Sequence, residues 1–515
     1  MEDHLCVSSL LMKPTAALSL FASFLVVASI QAHSQVKVPQ LFSSHMVLQR
    51  DMPIHIWGEA TPGEEVTVSL QKAVASATAD KTGLWSVNLA PRSAGGPYVL
   101  LVRASNVLQF DDIFIGDIWL ASGQSNMEIP LKGYDVNTPI KDSAKEIANA
   151  NYPQIRLLLV HHDASDFPLN DPKTAGWSVC GPESIANFSA VAYFFARDLQ
   201  LKEKVPIGLI DASWGGSPAE AWTSLDALGS DASLMPVFAN RATRMNGESA
   251  RQHLDPTAFQ ATPQGIPVSA TSEFHPAQVS WQPAALYNAM IAPFTPLPIR
   301  GVIWYQGESN SSPRMAPLYS RLFPALIQDW RTRWHQADLP FLFVQLSAYG
   351  GSPVDEWGML RQAQFDTLHL ANTGMAVTID IGNEHNVHPA NKQEVGSRLA
   401  LLARSIAYKE NLVSSGPLFR YAYPQGNTMH VFFNNAGGLT SKGLLESFEV
   451  AGADGIFSPA MAKIEGDTVV VSNSTVLAPR YVRYSWANYP PPDHAPNLYN
   501  GAGLPASPFT SYPTP

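Results

Sequence analysis

Residues 117–127 read Asp-Ile-Trp-Leu-Ala-Ser-Gly-Gln-Ser-Asn-Met, an apolar run that ends in a Gly-Gln-Ser turn. A serine on a tight turn between a strand and a helix is exposed at the carboxyl end of a parallel sheet, where α/β proteins bind ligands. Ser125 is therefore a candidate nucleophile. Serines also cap helices, and this stretch alone leaves both interpretations open.

Compact apolar runs of the same kind recur along the middle of the chain. Residues 207–210, 301–305 and 340–346 each suit a strand that is buried on both faces. Segments with helical spacing lie between the runs and after them, one behind a candidate cap at Ser189 and another that begins near Asn391. Strands that alternate with helices predict an α/β domain with a mainly parallel sheet.

Both flanks of this region have the pattern of antiparallel β-structure. Residues 36–108 contain short apolar alternations broken by turn residues, and the pattern returns over residues 413–515, which end in an irregular tail. We therefore expect an α/β domain over residues 109–412 between two β domains. A polar stretch over residues 229–278 is predicted to be a long insertion that borders the site.

The first residues resemble an export leader. Lys13 precedes an apolar run over residues 16–30, and small and polar residues follow at 31–34. This pattern predicts a cleaved signal peptide over residues 1–34. The alternative is a single membrane anchor, but the run is shorter than the roughly 20 apolar residues that a spanning helix needs. We expect a secreted or periplasmic protein that is not integral to the membrane after cleavage.

The amino-acid composition limits the kind of protein this chain can be and the partners that it can bind. Of the 515 residues, 45% are hydrophobic and 15% are charged, which predicts a globular chain with a large core. The net charge is −10 and no basic stripe is present, so we do not expect nucleic acid as a partner. Cys6 lies in the predicted leader and Cys180 is the other cysteine, which excludes an intrachain disulfide in the mature chain.

A second strand-to-turn segment carries two adjacent glycines. Gly215 and Gly216 follow the apolar run at residues 207–210, and glycines in such a turn let backbone N–H groups approach an oxyanion closely. A purely structural turn is the alternative interpretation. Ser213, in the same segment, is a competing nucleophile that no partner motif singles out.

A third strand-to-turn segment, residues 302–310, reads Val-Ile-Trp-Tyr-Gln-Gly-Glu-Ser-Asn. The side-chain amide of Gln306 can donate to a developing negative oxygen. Glu308 either braces the site through hydrogen bonds or is a solvated loop carboxylate, and the sequence favours neither interpretation.

A serine hydroxyl needs a base to remove its proton. The candidate is His388, which lies in a loop between an apolar strand and the helix that begins near Asn391. His275 is a decoy of similar appearance, and the pair His161 and His162 has no metal-ligand companions at useful spacing. We expect neither a metal nor an organic cofactor.

Together these segments resemble the sialate O-acetylesterase family of SGNH hydrolases over nearly the whole mature chain. The motifs that carry the resemblance, in chain order, are Met-Val-Leu-Gln at 46–49, Ile-Trp-Gly at 56–58, Gly-Gln-Ser-Asn-Met at 123–127, Trp-Gly-Gly at 214–216, Leu-Tyr-Asn-Ala-Met-Ile at 286–291, Trp-Tyr-Gln-Gly-Glu-Ser-Asn at 304–310 and His-Pro-x-Asn-Lys-Gln at 388–393. The resemblance implies a flavodoxin-like, three-layer SGNH core with flanking antiparallel β domains.

The resemblance also implies roles for individual residues. Ser125 is the implied nucleophile and His388 the implied base. The N–H groups of Ser125 and Gly216, with Gly215 beside them, and the amide of Gln306 surround the implied oxyanion. The implied activity is hydrolysis of O-acetyl esters on carbohydrates, with sialate as the leading substrate and acetylated xylan or another polysaccharide as the alternative.

One position departs from the family pattern, because Asn386 stands where many relatives have an aspartate two residues before the histidine. An Asp-to-Asn change in a serine protease triad costs about 10⁴ in rate. Three explanations stay open: a Ser-His dyad oriented by a backbone carbonyl, recruitment of Glu384 or Asp380, or an impaired enzyme. A carbohydrate-binding protein without catalysis and an acetyltransferase are the corresponding rival functions.

The residues that bind the sugar are less defined. Arg361 is a candidate partner for a sialate carboxylate. Trp214, Trp304 and Tyr305 either offer faces on which a sugar stacks or belong to the core.

Overall fold

The computed structural model describes residues 35–238, 278–351, 353–491 and 495–514. The predicted leader, His275 and residues 239–277 of the predicted insertion lie outside the described residues.

The first part of the described chain consists of β-strands. Its strands are β1 (Val47–Gln49), β2 (Ile54–Glu59), β3 (Glu65–Leu70), β4 (Ala73–Thr78), β5 (Leu84–Leu89), β6 (Gly95–Arg103) and β7 (Val107–Gly123). The pairs β2–β5, β3–β4, β3–β6 and β6–β7 are all antiparallel. Burial alternates residue by residue along β5, as expected for a sheet with one face on a core.

A mainly parallel sheet forms the centre of the molecule. Its other strands are β8 (Tyr152–Val160), β9 (Thr174–Cys180), β10 (Ile207–Ser213), β11 (Gly301–Tyr305), β12 (Phe341–Val344) and β13 (Thr373–Ala376). The order is β13-β12-β11-β7-β10-β8-β9, and every neighbouring pair is parallel except β8 and β9. All residues of β10 and β11 are buried, which explains their uninterrupted apolar sequences.

Strand β7 belongs to both regions. Its first six residues alternate between exposed and half-buried positions, and its last eleven are buried without a break. The first half pairs with β6, and the second half lies between β10 and β11. The boundary expected between residues 108 and 109 therefore falls inside one continuous strand.

Helices connect and cover the central strands. They are α1 (Ser125–Glu128), α2 (Ser143–Asn149), α3 (Pro182–Ile185), α4 (Ala190–Glu203), α5 (Leu225–Ser230), α6 (Ala316–Arg333), α7 (Trp357–Asp366) and α8 (Lys392–Ile406). Helix α4 packs on α8, and α6 packs on α7. Ser189 caps α4 and Asn391 caps α8, each by accepting a backbone N–H from the first turn. Over the described ranges, no helix is both long and apolar enough to cross a membrane.

The last hundred residues form antiparallel sheets around a core of their own. The strands are β14 (Leu418–Gln425), β15 (Thr428–Asn434), β16 (Thr440–Ser441), β17 (Phe448–Ala451), β18 (Phe457–Pro459), β19 (Met461–Glu465), β20 (Thr468–Ser472), β21 (Tyr481–Tyr484), β22 (Leu498–Tyr499) and β23 (Phe509–Thr510). The tail, expected to be irregular, includes β22 and β23, and the Thr510 N–H donates to Gln362 of α7 at 3.0 Å. The predicted class, an α/β core with antiparallel β-structure on both sides, is confirmed.

The direction in which strands are added to the sheet reverses at β7, which creates a topological switch point at one edge of the sheet. The chain builds β8 to β10 on one side of β7 and then crosses to build β11 to β13 on the other side. In register, Gly123 lies opposite both Ser213 and Tyr305, so the turns after β7, β10 and β11 meet at one place. Open α/β sheets bind ligands at such a point.

Candidate active site

The turn after β7 holds Ser125 in a fixed position. Gly123 has a φ of 133°, and a Cβ atom there would lie 2.2 Å from the carbonyl oxygen of Tyr305. Only glycine therefore fits the turn. The Gln124 N–H donates to the same carbonyl at 3.0 Å, and Ser125 then begins helix α1 with 7% of its surface exposed.

His388 reaches this serine from a loop 263 residues later in the chain. Its Nε2 lies 2.9 Å from Ser125 Oγ, which is a hydrogen-bonding distance. The structure thus brings together the predicted nucleophile and the predicted base. The edge of the Tyr134 ring faces the imidazole, with ring centroids 6.2 Å apart.

Asn386 shapes the loop of the base rather than the orientation of its ring. Its Oδ1 accepts the backbone N–H of His388 at 2.8 Å, and its Nδ2 donates to the carbonyl oxygen of Asn137 at 2.8 Å. Both ends of the side chain are therefore used on backbone groups. The sequence pattern gave no sign of this role, because the contact with Asn137 depends on how two distant loops meet.

The two acidic residues proposed as substitutes for the family aspartate have other partners. The carboxylate of Asp380 makes two hydrogen bonds with Arg398, at 2.7 and 2.8 Å. Glu384 is exposed, and its carboxylate lies 3.8 Å from His385. Among the described residues, no carboxylate lies within ion-pair distance of His388, so the structure brings neither acid to the base.

Burial and two nearby charges set the pKa of His388. Burial, above all, and the nearby charge of Lys392 lower its pKa to about 4. The carboxylate of Asp135 acts in the opposite direction and raises the pKa of His388. Asp135 lies in a polar loop, and the sequence contains no signal that links it to the base.

Two backbone N–H groups in the turns after β7 and β10, those of Ser125 and Gly216, have no hydrogen-bond acceptor among the described residues. Gly216 has a φ of 69°, and neither its N–H nor that of Ser125 donates to another group in the part of the chain that the structure describes. The Gly215 N–H, which the sequence placed with them, donates instead to Glu128 Oε2 at 2.6 Å. Of the two glycines, Gly216 is the available donor.

Gln306 lies where the three turns meet and is fully buried. One hydrogen of its amide is directed at Asn310 Oδ1, 2.7 Å away, and its Oε1 accepts the Tyr319 hydroxyl at 2.9 Å. The same nitrogen has only long contacts, at 3.3 Å, with Gln124 Oε1 and the Ser217 carbonyl. One amide hydrogen is thus shared between two weak acceptors.

A buried polar cluster lies behind the nucleophile. Asn126 Nδ2 donates to Glu308 Oε1 at 2.5 Å and to the Val387 carbonyl at 3.0 Å, while Lys392 Nζ donates to Asn126 Oδ1. Burial raises the pKa of Glu308 and lowers that of Lys392 to about 7. Glu308 is therefore a buried brace and not a solvated carboxylate. Lys392 belongs to the 388–393 motif, but sequence reasoning gave it no role.

A second polar group forms the rim of the site. Glu128 Oε1 lies 2.7 Å from His162 Nε2, and Glu128 Oε2 accepts the Tyr134 hydroxyl at 2.8 Å. The His162 ring stacks on Trp214 with centroids 4.2 Å apart and planes 2° from parallel. Sequence reasoning missed Glu128 and Tyr134, since acidic and aromatic residues near a turn are common.

Two of the three aromatic candidates lie in the core, and the competing serine is held by a carboxylate. Trp304 and Tyr305 are fully buried and belong to the core, whereas Trp214 is half-buried at the site. The Ser213 hydroxyl donates to the buried carboxylate of Asp211 at 2.5 Å. Burial raises the pKa of Asp211 to about 7. A carboxylate in this position holds the hydroxyl, and the structure gives Ser213 no histidine partner among the described residues.

Arg361 is a structural residue. It is fully buried, and its guanidinium donates to four backbone carbonyls, those of Leu346, Ser347, Ala487 and Asn488. Four of its five N–H groups are thus used on the backbone, and its complete burial keeps the guanidinium away from a substrate carboxylate. Elsewhere in the described ranges, no group of three or more His, Cys, Asp or Glu side chains has the arrangement of a metal site.

Comparison with known proteins identifies the family that this chain resembles. A family model described as carbohydrate esterase, sialic acid-specific acetylesterase matches residues 268–404. The chain is 31% identical to a sialate O-acetylesterase of Pongo abelii over 448 residues, which cover 79% of this chain and 77% of the relative. It is 33% identical to that of Mus musculus over 426 residues, which cover 73% and 74%.

A solved structure is similar over almost the whole chain. The crystal structure of a carbohydrate acetylesterase from Xanthomonas citri aligns with a TM-score of 0.79 and 37% identity, covering 93% of this chain and 99% of that one. The similarity therefore includes the flanking β-structure as well as the central sheet.

Proposed function

Since the chain belongs to the sialate O-acetylesterase family and is a hydrolase of acetyl esters on carbohydrates, we propose that Ser125 is its nucleophile and His388 its general base. The observation that carries this proposal is the 2.9 Å distance between Ser125 Oγ and His388 Nε2 at the switch point of the sheet. A serine and a histidine in hydrogen-bonding contact are the activated pair that acyl transfer needs.

The reaction proceeds in two steps. His388 Nε2 takes the hydroxyl proton of Ser125 as Oγ attacks the acetyl carbonyl carbon, and the carbonyl oxygen becomes an oxyanion. The protonated imidazole then gives the proton to the departing sugar oxygen, which leaves an acetyl ester on Ser125. In the second step His388 deprotonates water as the water oxygen attacks this ester. The imidazolium then returns the proton to Ser125 Oγ as the ester bond breaks, which releases acetate and restores the serine hydroxyl and the neutral base.

Backbone dipoles stabilise the oxyanion. The N–H groups of Ser125 and Gly216 are the two donors, and the weakly held amide hydrogen of Gln306 is the third. Donors that are fixed before the reaction cost no reorganisation when charge develops, and each is worth about 10² to 10³ in rate.

We propose that the enzyme works with a Ser-His dyad and without a triad aspartate. Asn386 fixes the backbone of His388, and the Tyr134 ring limits the rotation of the imidazole. The charge of Asp135 favours the imidazolium form that appears during attack. These contacts take over the two tasks of a triad aspartate, orientation and charge stabilisation.

The decisive experiment compares Ser125→Ala with Ser213→Ala, which removes the competing hydroxyl. Ser125→Ala should lower kcat on an aryl acetate by about 10⁴-fold or more, while Ser213→Ala stays within about tenfold of the unmodified enzyme. A fluorophosphonate should label the peptide that contains Ser125, as read by mass spectrometry. Turnover by Ser125→Ala, or a label on another serine, would refute the assignment.

For the substrate we propose O-acetylated sialic acid, which is what the names of the curated relatives state for those proteins. A panel of acetylated sialic acid, acetylated xylan and acetylated glucosamine, assayed for released acetate, tests this proposal. Sialic acid should give the highest kcat/KM. A preference for xylan or glucosamine would identify a neutral saccharide as the substrate and would agree with the burial of Arg361.

We also propose export to the periplasm or the medium through a leader over residues 1–34. Sequencing the amino terminus of the mature protein should find a start near residue 35. An uncut leader in the membrane fraction would show that the apolar run is an anchor.

A further inference from the structure

Glu128 lies at the junction of three segments of the active site. It ends the one-turn helix that begins with Ser125, and its carboxylate accepts hydrogen bonds from three different parts of the chain. The donors are the Gly215 N–H at 2.6 Å, the Tyr134 hydroxyl at 2.8 Å and His162 Nε2 at 2.7 Å. Its side chain is 20% exposed, so most of the carboxylate is covered by these partners.

The contact with Gly215 sets the direction of the proposed oxyanion donor. Gly215 and Gly216 are consecutive, and further bonds hold their loop. The Trp214 N–H donates to the Gly123 carbonyl at 3.0 Å, and the Ser217 hydroxyl donates to the Trp214 carbonyl at 2.7 Å. Gly216 has a φ of 69°, a conformation that glycine adopts freely but does not enforce. Glu128 therefore fixes the Gly215 N–H, next to the glycine whose φ the sequence leaves free.

The contact with Tyr134 reaches the base. The same oxygen, Oε2, that accepts the Gly215 N–H also accepts the Tyr134 hydroxyl, and the Tyr134 ring faces His388. One carboxylate oxygen thus links the loop of the oxyanion donor to the ring beside the base. Its other oxygen holds His162 against Trp214 on the rim.

We propose that Glu128 is a positioning residue that fixes the Gly216 loop and the Tyr134 ring relative to Ser125, and that it acts through the geometry of its two oxygens rather than through its charge. This inference rests on the proposed roles of Ser125, Gly216 and His388. A negative charge close to an oxyanion opposes catalysis by itself, so the function of this side chain is to hold its three donors.

Two conservative variants separate geometry from charge. Glu128→Gln keeps the length of the side chain and an oxygen for Gly215 and Tyr134, and its amide can face a neutral His162. Glu128→Asp keeps the charge but is shorter by one methylene, so it cannot reach all three donors. Glu128→Gln should keep kcat within about threefold, whereas Glu128→Asp should lower kcat about 10- to 100-fold, because small misplacements of catalytic groups are costly.

The split between kcat and KM distinguishes positioning from binding. For Glu128→Asp, KM on an aryl acetate should stay within about threefold while kcat falls, as expected when an interaction matters mainly in the transition state. Tyr134→Phe removes one of the three hydrogen bonds and keeps the ring, so its loss of kcat should lie between those of the two Glu128 variants. Thermal unfolding of each variant confirms that the fold is retained.

The outcomes are distinct. A Glu128→Asp enzyme with unchanged kcat, an effect on KM alone, or a Glu128→Gln enzyme as slow as Glu128→Asp would each overturn the proposal. If Ser125→Ala keeps its activity, the proposed function itself fails. If Ser125→Ala is inactive and Glu128→Asp is as fast as the unmodified enzyme, only the inference about Glu128 fails.

Discussion

The turn that carries the nucleophile and the loop that carries the base are held in different ways. Residues 123–125 lie at the end of β7, the longest strand of the described chain, and are buried. Backbone hydrogen bonds fix them between the ends of β10 and β11. The base loop, residues 382–391, is mostly half-exposed or exposed and has no strand or helix of its own up to the cap of α8. Backbone hydrogen bonds hold its ends, at Asn383, Glu384 and Ala390. Around His388 itself, over residues 385–388, the bonds come from the side chains of Asn383, Asn386 and Asn126.

This difference predicts where the site is vulnerable. Backbone pairing tolerates the exchange of many side chains, because the hydrogen bonds belong to the main chain. The part of the loop around His388, which three amide side chains hold, depends on each of them. Single substitutions should therefore disturb the base more readily than the nucleophile turn.

The largest effect is expected at the base itself. His388→Ala should lower kcat about 10⁴- to 10⁶-fold, since removing one member of a catalytic pair removes nearly all of its contribution. His385→Ala is the matched control, because this histidine lies in the same loop and its side chain is 87% exposed. Steady-state kinetics on an aryl acetate should show a control within about twofold of the unmodified enzyme. An equal loss in both variants would mean that the loop matters and the imidazole does not.

The next effect is expected at the link between the two regions. Asn126→Ala removes the hydrogen bonds to Glu308, Lys392 and the Val387 carbonyl, and leaves two buried charged groups without their common partner. We expect kcat to fall about 10- to 100-fold, and the free energy of unfolding to fall by about 2 kcal/mol. Denaturant unfolding and kinetics measure both changes.

Asn137→Ala is the control for Asn126→Ala. The contact of Asn137 with Asn386 uses its backbone carbonyl, which alanine keeps. This variant should therefore behave like the unmodified enzyme. A large loss in Asn137→Ala would show that the base loop is fragile toward any change nearby.

A smaller effect concerns the protonation of the base. His388 acts as a base only when it is neutral, and burial together with the charge of Lys392 lowers its pKa to about 4. We therefore expect kcat/KM to stay high down to about pH 5 and to fall as the pH passes below 4. Lys392 lowers this pKa, and Lys392→Met removes the charge. The acid limb of the kcat/KM profile should then move to higher pH. A limb that stays in place or moves to lower pH would contradict the assigned influence of Lys392.

The fold and the centre of the site were accessible from sequence because each depends on local patterns. Buried strands require uninterrupted apolar runs, and parallel strands bring their carboxyl ends to one edge. Ser125, Gly216 and Gln306 each follow such a run, and the structure places all three at that edge. His388 was found through its motif rather than through any strand.

The remaining contacts could not be predicted, because they depend on how loops meet in three dimensions. Gly215 is bound by a carboxylate 87 residues away, and Asn386 by a carbonyl 249 residues away. Neither partner has a distinctive sequence signal. The same holds for Asp135, whose charge reaches His388 from an exposed loop.

Asp135→Asn should have the smallest effect and the opposite sign to Lys392→Met. The asparagine oxygen can still accept the Asn137 N–H, which Asp135 accepts at 2.8 Å, so the loop keeps its shape and only the charge is lost. Because the carboxylate raises the pKa of His388, its removal should move the acid limb to lower pH and reduce kcat a few-fold, as the imidazolium loses support. Asp135 is exposed, so salt should screen its influence, and the difference between variant and unmodified enzyme should shrink from low salt to about 1 M. A difference that salt does not change would mean that the side chain acts by shaping the loop.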